Sequence, residues 1–296
     1  MKRKQQTWFA MVGVGMVTLA CSLSTLTWIT PTPVDQIGTI VAATMQALTV
    51  IPSQSVSTPI SSQAGGTPVS SENVSFVIPS GLASGANPVK MVSVDTNSGA
   101  PWEIAPTHLR FTLTGYQLEG KFHEPAIYVY PADEYAKVNS NAASQIESLK
   151  RIRAGAPILK ETMPRVPWFN ADLVIVANVK VIPFQNGSGV RTLTEYAQYL
   201  APINNHELIY QFQGLTDDDK YYFFAILPIT APILAEDEKP DSPVPPGGVP
   251  IPTDTGPNDV YYVSVTQKLN GLSPENYTPS LNALDALIQS ILIKTP

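Results

Sequence analysis

The stretch that decides the fold is ELIYQFQGLTDDDKYYFFAILP, residues 207–228. Residues 207–213 and 221–228 are rich in aromatic and branched apolar side chains, which predicts two strands. Glycine and three consecutive aspartates separate them, and a connection this short does not allow a parallel crossover. The stretch therefore predicts an antiparallel pair of strands.

Strand patterns and turn signals continue on both sides of this pair. Further strands are predicted at residues 74–78, 108–114, 126–130, 173–184, 190–194 and 260–265. Helical spacing predicts helices at 132–153 and 280–293. We therefore expect one α+β domain over residues 74–296, with an antiparallel sheet and helices packed on a face, and a β-sandwich is the alternative. The Pro-rich residues 236–259 are expected to form an exposed loop.

The first residues have the pattern of an export signal. Lys2, Arg3 and Lys4 precede an uncharged apolar run that ends at Cys21, the only cysteine. This pattern predicts a signal peptide over residues 1–21. The small residues before Cys21 resemble the lipobox of bacterial lipoproteins, in which the cysteine carries diacylglycerol. The alternative is an uncleaved anchor over residues 5–32, because uncharged sequence continues past the cysteine.

Residues 22–73 are predicted to form a disordered tether, because Ser, Thr, Pro, Gln and Gly dominate them. Within this tether, residues 35–48 carry apolar side chains at helical spacing, which predicts a short amphipathic segment. Such a segment suits a membrane surface or a partner protein.

The charge balance excludes nucleic acid as a partner. The chain has 18 basic and 24 acidic residues, so removal of the three basic residues of the signal leaves 15 against 24, a formal charge of −9. Phosphate binding needs clustered Lys and Arg, and the exported part has only one short basic group, Lys150-Arg151-Arg153. With Cys21 bound to lipid, no cysteine is left for a disulfide or a metal site.

The histidines are the first place to look for chemistry. The chain has three, His108, His123 and His206, and two of them precede an acid, as His123-Glu124 and His206-Glu207. Adjacent residues of a strand point to opposite faces, so neither dipeptide makes a bidentate metal site. A zinc site built by all three histidines is the alternative. We predict no metal, no cofactor and no catalytic residue.

Aromatic side chains suggest a binding surface instead. Tyr128 and Tyr130 share one face of a predicted strand, and Tyr221 and Tyr222 put rings on both faces of another. Rings on an exposed sheet suit glycans or peptides, so we predict that these four tyrosines bind a ligand. The alternative is packing beneath a helix.

Residues 122–131, 184–191 and 202–216, together with the Ile-Val-Ala-Ala-Thr-Met segment at 40–45, resemble a family of envelope lipoproteins from Chloroflexi-like bacteria with no assigned activity. The resemblance implies an envelope lipoprotein and no site residue. We expect a membrane-anchored extracytoplasmic module that binds or scaffolds an envelope glycan or protein without catalysis. An extracytoplasmic hydrolase is the alternative.

We expect Cys21 to be the lipid-bearing N-terminus of the mature protein, because it ends the apolar run of the signal. Mass spectrometry of the mature protein should find the chain cut before Cys21 with a lipid mass on that residue. An intact Met1 would contradict lipidation and support the uncleaved anchor.

Overall fold

The computed structural model describes residues 65–199, 201–239, 241–252 and 259–295, which belong to one compact unit of the chain. The predicted signal, Cys21, the alternative anchor and the segment 35–48 lie outside these residues. The strands are β1 (Thr67–Ser71), β2 (Val74–Ile78), β3 (Gly85–Met91), β4 (His108–Thr114), β5 (Ala126–Pro131), β6 (Asp172–Leu173), β7 (Ala177–Phe184), β8 (Gly187–Thr194), β9 (Tyr196–Ala197), β10 (Ile209–Thr216), β11 (Tyr221–Pro228) and β12 (Leu292–Ile293). The helices are α1 (Ala132–Val138), α2 (Ser140–Arg153), α3 (Asp259–Gly271) and α4 (Leu281–Gln289).

The predicted hairpin lies at the centre of a seven-stranded sheet of order β3-β4-β5-β11-β10-β8-β7. All neighbouring strands in this sheet are antiparallel, and Ile209 of β10 pairs with Pro228 of β11. Two smaller sheets, β1-β2-β12 and β6-β9, complete the strand pairing of the described residues. The predicted α+β class is confirmed.

Both faces of the large sheet are covered, because β10 is buried at every position. On one face, called here the α2 face, Phe224 packs with Leu149 of α2. On the other, the α4 face, Phe223 packs with Leu284 of α4. The helices thus cover two faces, with α1 and α2 on the first and α3 and α4 on the second. The β-sandwich alternative fails because the second sheet facing the α4 face has only three strands.

The prediction of a strand at residues 260–265 is wrong, because this stretch begins α3. Tyr261, Val265 and Leu269 are buried along one side of the helix, four residues apart. A strand would have buried Val263 with Tyr261, whereas Val263 is 52% exposed. Helical packing against the sheet has overridden the strand preference of tyrosine and valine.

The helix predicted over residues 132–153 is two helices, broken at Asn139. The Asn139 backbone is extended, and its side-chain Oδ1 accepts a hydrogen bond of 3.0 Å from the Ala142 amide, which caps α2. Its Nδ2 donates to the Ile104 carbonyl at 2.9 Å. None of the helices within the described residues is long and apolar enough to cross a membrane.

The folded part begins earlier than predicted. Residues 67–71, assigned to the tether from sequence, form β1 and pair with β2, with Val69 opposite Phe76. At the other end, the predicted C-terminal helix is confirmed as α4, and the chain then adds β12 to the free edge of β2.

The described residues of the Pro-rich loop 236–259 form neither helix nor strand until α3 begins. The loop nevertheless contacts the core, because Val244, Val249 and Ile251 surround a small apolar pocket with Tyr261 and Val265. The loop is therefore held against the α3 side of the fold.

A buried ion pair fastens α4 to the sheet. The Arg191 guanidinium in β8 lies 3.2 Å from both carboxylate oxygens of Asp285 in α4, and both side chains are less than 10% exposed. The Tyr210 hydroxyl donates to Asp285 at 3.0 Å, and Arg191 Nε donates to the Asn178 carbonyl at 2.9 Å. Every charge of the pair thus has hydrogen-bond partners, which a buried charge needs.

We expect Asp285→Ala to lower the free energy of unfolding by about 3–5 kcal/mol, because it leaves the Arg191 charge buried and unpaired. Urea unfolding measures this. The control is Glu147→Ala, which removes an exposed pair with Lys150 and should cost less than about 1 kcal/mol. Equal small losses in both variants would contradict a central role for the buried pair.

Candidate functional site

The four predicted tyrosines do not form one site. Tyr130 and Tyr222 are 2% and 0% exposed, and the Tyr130 ring stacks on Tyr135 of α1 at 4.2 Å. Tyr221 packs on the opposite face of β11 from Tyr222. The prediction that Tyr130 and Tyr222 bind a ligand is wrong, because α1 and α2 cover them. Tyr128 alone of the α2-face tyrosines is half-buried.

An open cleft of about 800 Å³ lies beside this covered face, between α2 and the segment 165–172, with β9 at one end. Its polar lining comes from Asn141, Ser144, Gln145, Arg165, Asn170, Asp172 and Gln198. Pro167 and the ring of Phe169 supply its apolar surface, and Arg165 and Asp172 form an ion pair at its edge.

Two glutamines of β10 hold the wall of the cleft in place. Gln211 and Gln213 each donate a 2.9 Å hydrogen bond from Nε2 to the Pro164 carbonyl. The next residue, Arg165, donates from its amide to Gln145 Oε1 of α2 at 2.8 Å. The Val166 amide donates to the Tyr196 hydroxyl at 3.0 Å. These bonds fix the backbone of residues 164–166 against the sheet and against α2.

A row of rings leads from the cleft to two of the histidines. Phe169 contacts His123 at 5.2 Å between ring centroids, and Phe122 contacts both His123 at 4.9 Å and His206 at 6.0 Å. Burial and, as the smaller cause, the nearby His206 lower the pKa of His123 to about 4. His123 is therefore neutral at pH 7. Phe122 is 63% exposed, so the row ends at the surface.

His108 lies apart from the other two histidines. Its ring stacks on Tyr130 at 4.2 Å, and its Nδ1 lies 2.9 Å from the Pro106 carbonyl. Burial lowers its pKa. No ring contact of the described residues joins His108 to His123 or His206, so the three-histidine zinc site considered from sequence is not assembled.

A different group of residues is brought together next to His206. The ligand atoms of His206, Glu207 and Glu238 all lie within 4.8 Å of one another. Glu195, at the end of β8, is 0% exposed, and its Oε2 accepts a 3.1 Å hydrogen bond from the Asn204 amide. Burial, with Glu207 nearby, raises the pKa of Glu195 well above its usual range. We call His206, Glu207, Glu238 and Glu195 the acid cluster.

Sequence reasoning missed this cluster for a geometric reason. Adjacent residues point to opposite faces only in a strand, whereas His206 and Glu207 both lie in the turn before β10. Asn204 Oδ1 accepts from the His206 and Glu207 amides at 2.9 and 3.0 Å, and this shapes the turn. Glu238 belongs to the Pro-rich loop, and nothing in the neighbouring sequence indicates that this loop brings Glu238 close to His206 and Glu207.

Comparisons with protein-family models, with curated proteins and with solved structures find no match for this chain. The geometry of the site is therefore what indicates its chemistry. The cleft offers amide, hydroxyl and charged groups for hydrogen bonding. The acid cluster offers carboxylates and one imidazole, which can hold a cation or exchange protons.

The lowered pKa of His123 predicts acid sensitivity. The folded state disfavours protonation of His123 until pH 4, whereas the unfolded state takes the proton near pH 6.5, so this residue costs stability as pH falls between these values. At pH 5 this difference in pKa lowers the free energy of unfolding by up to about 2 kcal/mol. His123→Asn should remove that loss, and urea unfolding at pH 7 and pH 5 measures it.

The comparison between variant and wild type is needed because Glu195 titrates with the opposite sign. Its raised pKa makes the folded state hold a proton longer, so its contribution falls as pH rises. The pH 7 measurement serves as the control for packing changes. An equal pH dependence in His123→Asn and wild type would contradict the assignment.

Proposed function

We propose that this protein is an extracytoplasmic lipoprotein, anchored to the membrane through Cys21, whose cleft binds an envelope glycan without catalysis. The observation that carries the proposal is the polar lining of the open cleft between α2 and residues 165–172. The export signal, the Thr- and Pro-rich tether and the resemblance to envelope lipoproteins support the location.

The chemistry of the cleft favours a ligand rich in hydroxyl groups. Pockets for drug-like ligands are lined mainly by apolar side chains with a few polar groups, whereas this cleft presents several amides, a hydroxyl and an ion pair. An apolar ligand would remove the exposed Asn141 and Asn170 side chains from water without offering hydrogen bonds, at a cost of about 1–3 kcal/mol each. Sugar hydroxyls both donate and accept, so they can satisfy side-chain amides, which do the same.

Phe169 supplies the second element of glycan recognition. Phe169 lines the cleft, and its ring makes edge contacts with the rings of Tyr196 and Trp168, each at 4.5 Å between centroids. Such a ring can pack against the apolar face of a sugar while the amides bind its hydroxyls. The open shape of the cleft also suits a section of a long polymer better than an enclosed small molecule.

The hydrolase alternative is favoured by one observation, the acid cluster. A buried carboxyl group with a raised pKa next to a second carboxylate is the kind of pair that general acid and base catalysis uses. Reducing ends released from an envelope polysaccharide by the wild type and not by Glu195→Gln would support the hydrolase. The non-catalytic proposal expects no release by either.

The glycan proposal predicts that the double variant Asn141→Ala/Asn170→Ala loses affinity for isolated envelope polysaccharide. Both residues are exposed in the cleft, and two hydrogen bonds of about 1 kcal/mol each correspond to about a thirtyfold loss. Equilibrium binding of the full chain to fluorescently labelled fragments measures this.

The control for the double variant is Glu147→Ala, which lies on α2 outside the cleft and should leave affinity unchanged. Phe169→Ala should also weaken binding, because it removes the ring that packs on the sugar. Binding that is equal in all four proteins would place the glycan elsewhere and sink the proposal for the cleft.

A further inference from the structure

The acid cluster has a geometry that the glycan proposal does not use. His206 and Glu207 come from one turn, and Asn204 orients that turn by accepting hydrogen bonds from both amides. Glu238 comes from the Pro-rich loop, and the three ligand atoms lie within 4.8 Å of one another. Ligand atoms of a tetrahedral site are about 3.3–3.6 Å apart, because each bond is about 2.0–2.2 Å long and neighbouring bonds are about 109° apart.

A second observation is a buried oxygen without a partner. Glu195 is 0% exposed, and within the described residues its Oε1 has no hydrogen-bond partner. The Glu195 carboxyl group lies beside that of Glu207. Leaving a buried polar atom unpaired costs about 1–3 kcal/mol, so such an atom in a folded protein calls for an explanation.

The third observation is a local shortage of positive charge. Lys121 pairs with Glu236 at 2.7 Å, and Lys239 pairs with Asp237. No ion pair of the described residues involves Glu195, Glu207 or Glu238. Both lysines therefore have another acid as their ion-pair partner, and only Lys239 also interacts with the charge of Glu238.

We propose that His206, Glu207 and Glu238 bind one divalent transition-metal ion, supported by the unpartnered Oε1 of the buried Glu195. The imidazole decides the class of ion. Carboxylates alone would suit Ca²⁺, Mg²⁺ or Mn²⁺, whereas an added imidazole ligand favours Zn²⁺. The ion also joins the Pro-rich loop to the turn before β10, so it holds this loop against the sheet.

The test titrates the full chain with Zn²⁺ and Mn²⁺ by calorimetry after treatment with EDTA and dialysis. We expect one Zn²⁺ ion per chain and Zn²⁺ binding at least about tenfold tighter than for Ca²⁺ or Mg²⁺. His206→Gln and Glu238→Gln should each weaken binding by about 100-fold or more, and Glu195→Gln by about 10–100-fold. The matched control is Asp241→Asn, which changes an exposed carboxylate of the same loop outside the acid cluster and should bind as the wild type does.

Thermal unfolding of the same proteins supplies the second measurement. A metal that binds the folded state raises the unfolding temperature, so Zn²⁺ should stabilise wild type and Asp241→Asn and leave His206→Gln unchanged. Comparison without metal checks that each variant folds. These measurements contain no glycan, so a failure to bind metal would not count against glycan binding in the cleft.

Three outcomes would overturn the metal site. The first is the absence of stoichiometric binding by the wild type. The second is equal binding by wild type, His206→Gln and Glu238→Gln, which would place the ion elsewhere on the chain. The third is Ca²⁺ binding as tight as Zn²⁺ binding with no effect of His206→Gln, which would remove the imidazole from the site.

Discussion

The Pro164 carbonyl accepts hydrogen bonds from Gln211 and Gln213, and much of the α2 face depends on this arrangement. Strand β10 is buried on both sides, so each polar side chain on it must find a partner inside the protein. The two glutamines use their Nε2 groups on one carbonyl, while their Oε1 atoms accept from the Tyr196 and Tyr222 hydroxyls. Residues 164–166 are therefore bonded across the sheet, and Arg165 and Val166 of this segment line the cleft. Burial of the strand and formation of the cleft depend on the same hydrogen bonds.

On the α4 face, an ion pair supplies the partners for buried polar side chains. Arg191 on β8 and Asp285 on α4 place an ion pair where the sheet meets a helix, and Tyr210 of β10 adds a hydroxyl. Neutral hydrogen bonds hold the irregular segment at Pro164 on the α2 face. The Arg191–Asp285 ion pair holds the helix α4 on the other face. The irregular segment is the one that leaves polar groups exposed to solvent, so the cleft forms on the α2 side.

The elements that the sequence predicted correctly are those whose structure follows from the spacing of their own apolar residues. Strand β4 buries Leu109, Phe111 and Leu113 by simple alternation, and α4 buries Leu281, Leu284 and Ile288 by helical spacing. It failed at residues 260–265, where strand-favouring side chains also fit a helix with Tyr261 and Val265 on one side. The site was harder, because His206 and Glu207 act together only in a turn, and Glu238 approaches them only through long-range folding. For Tyr130 and Tyr222 the alternative of packing beneath a helix holds, which the sequence could not decide because it does not show which face α1 and α2 cover.

The position of β1 has a mechanical consequence for an anchored protein. Any tension along the segment before Thr67 enters the fold through β1, which pairs with β2 and has mostly exposed or half-buried side chains. Peeling β1 away would release five residues, and these add about 17 Å of extended chain at about 3.3 Å per residue. Phe76 and Ile78 of β2, which are buried in the core, would stay in place with β12 on their other side. The first strand can thus yield under load as a spacer, while the sheet that carries the cleft stays folded.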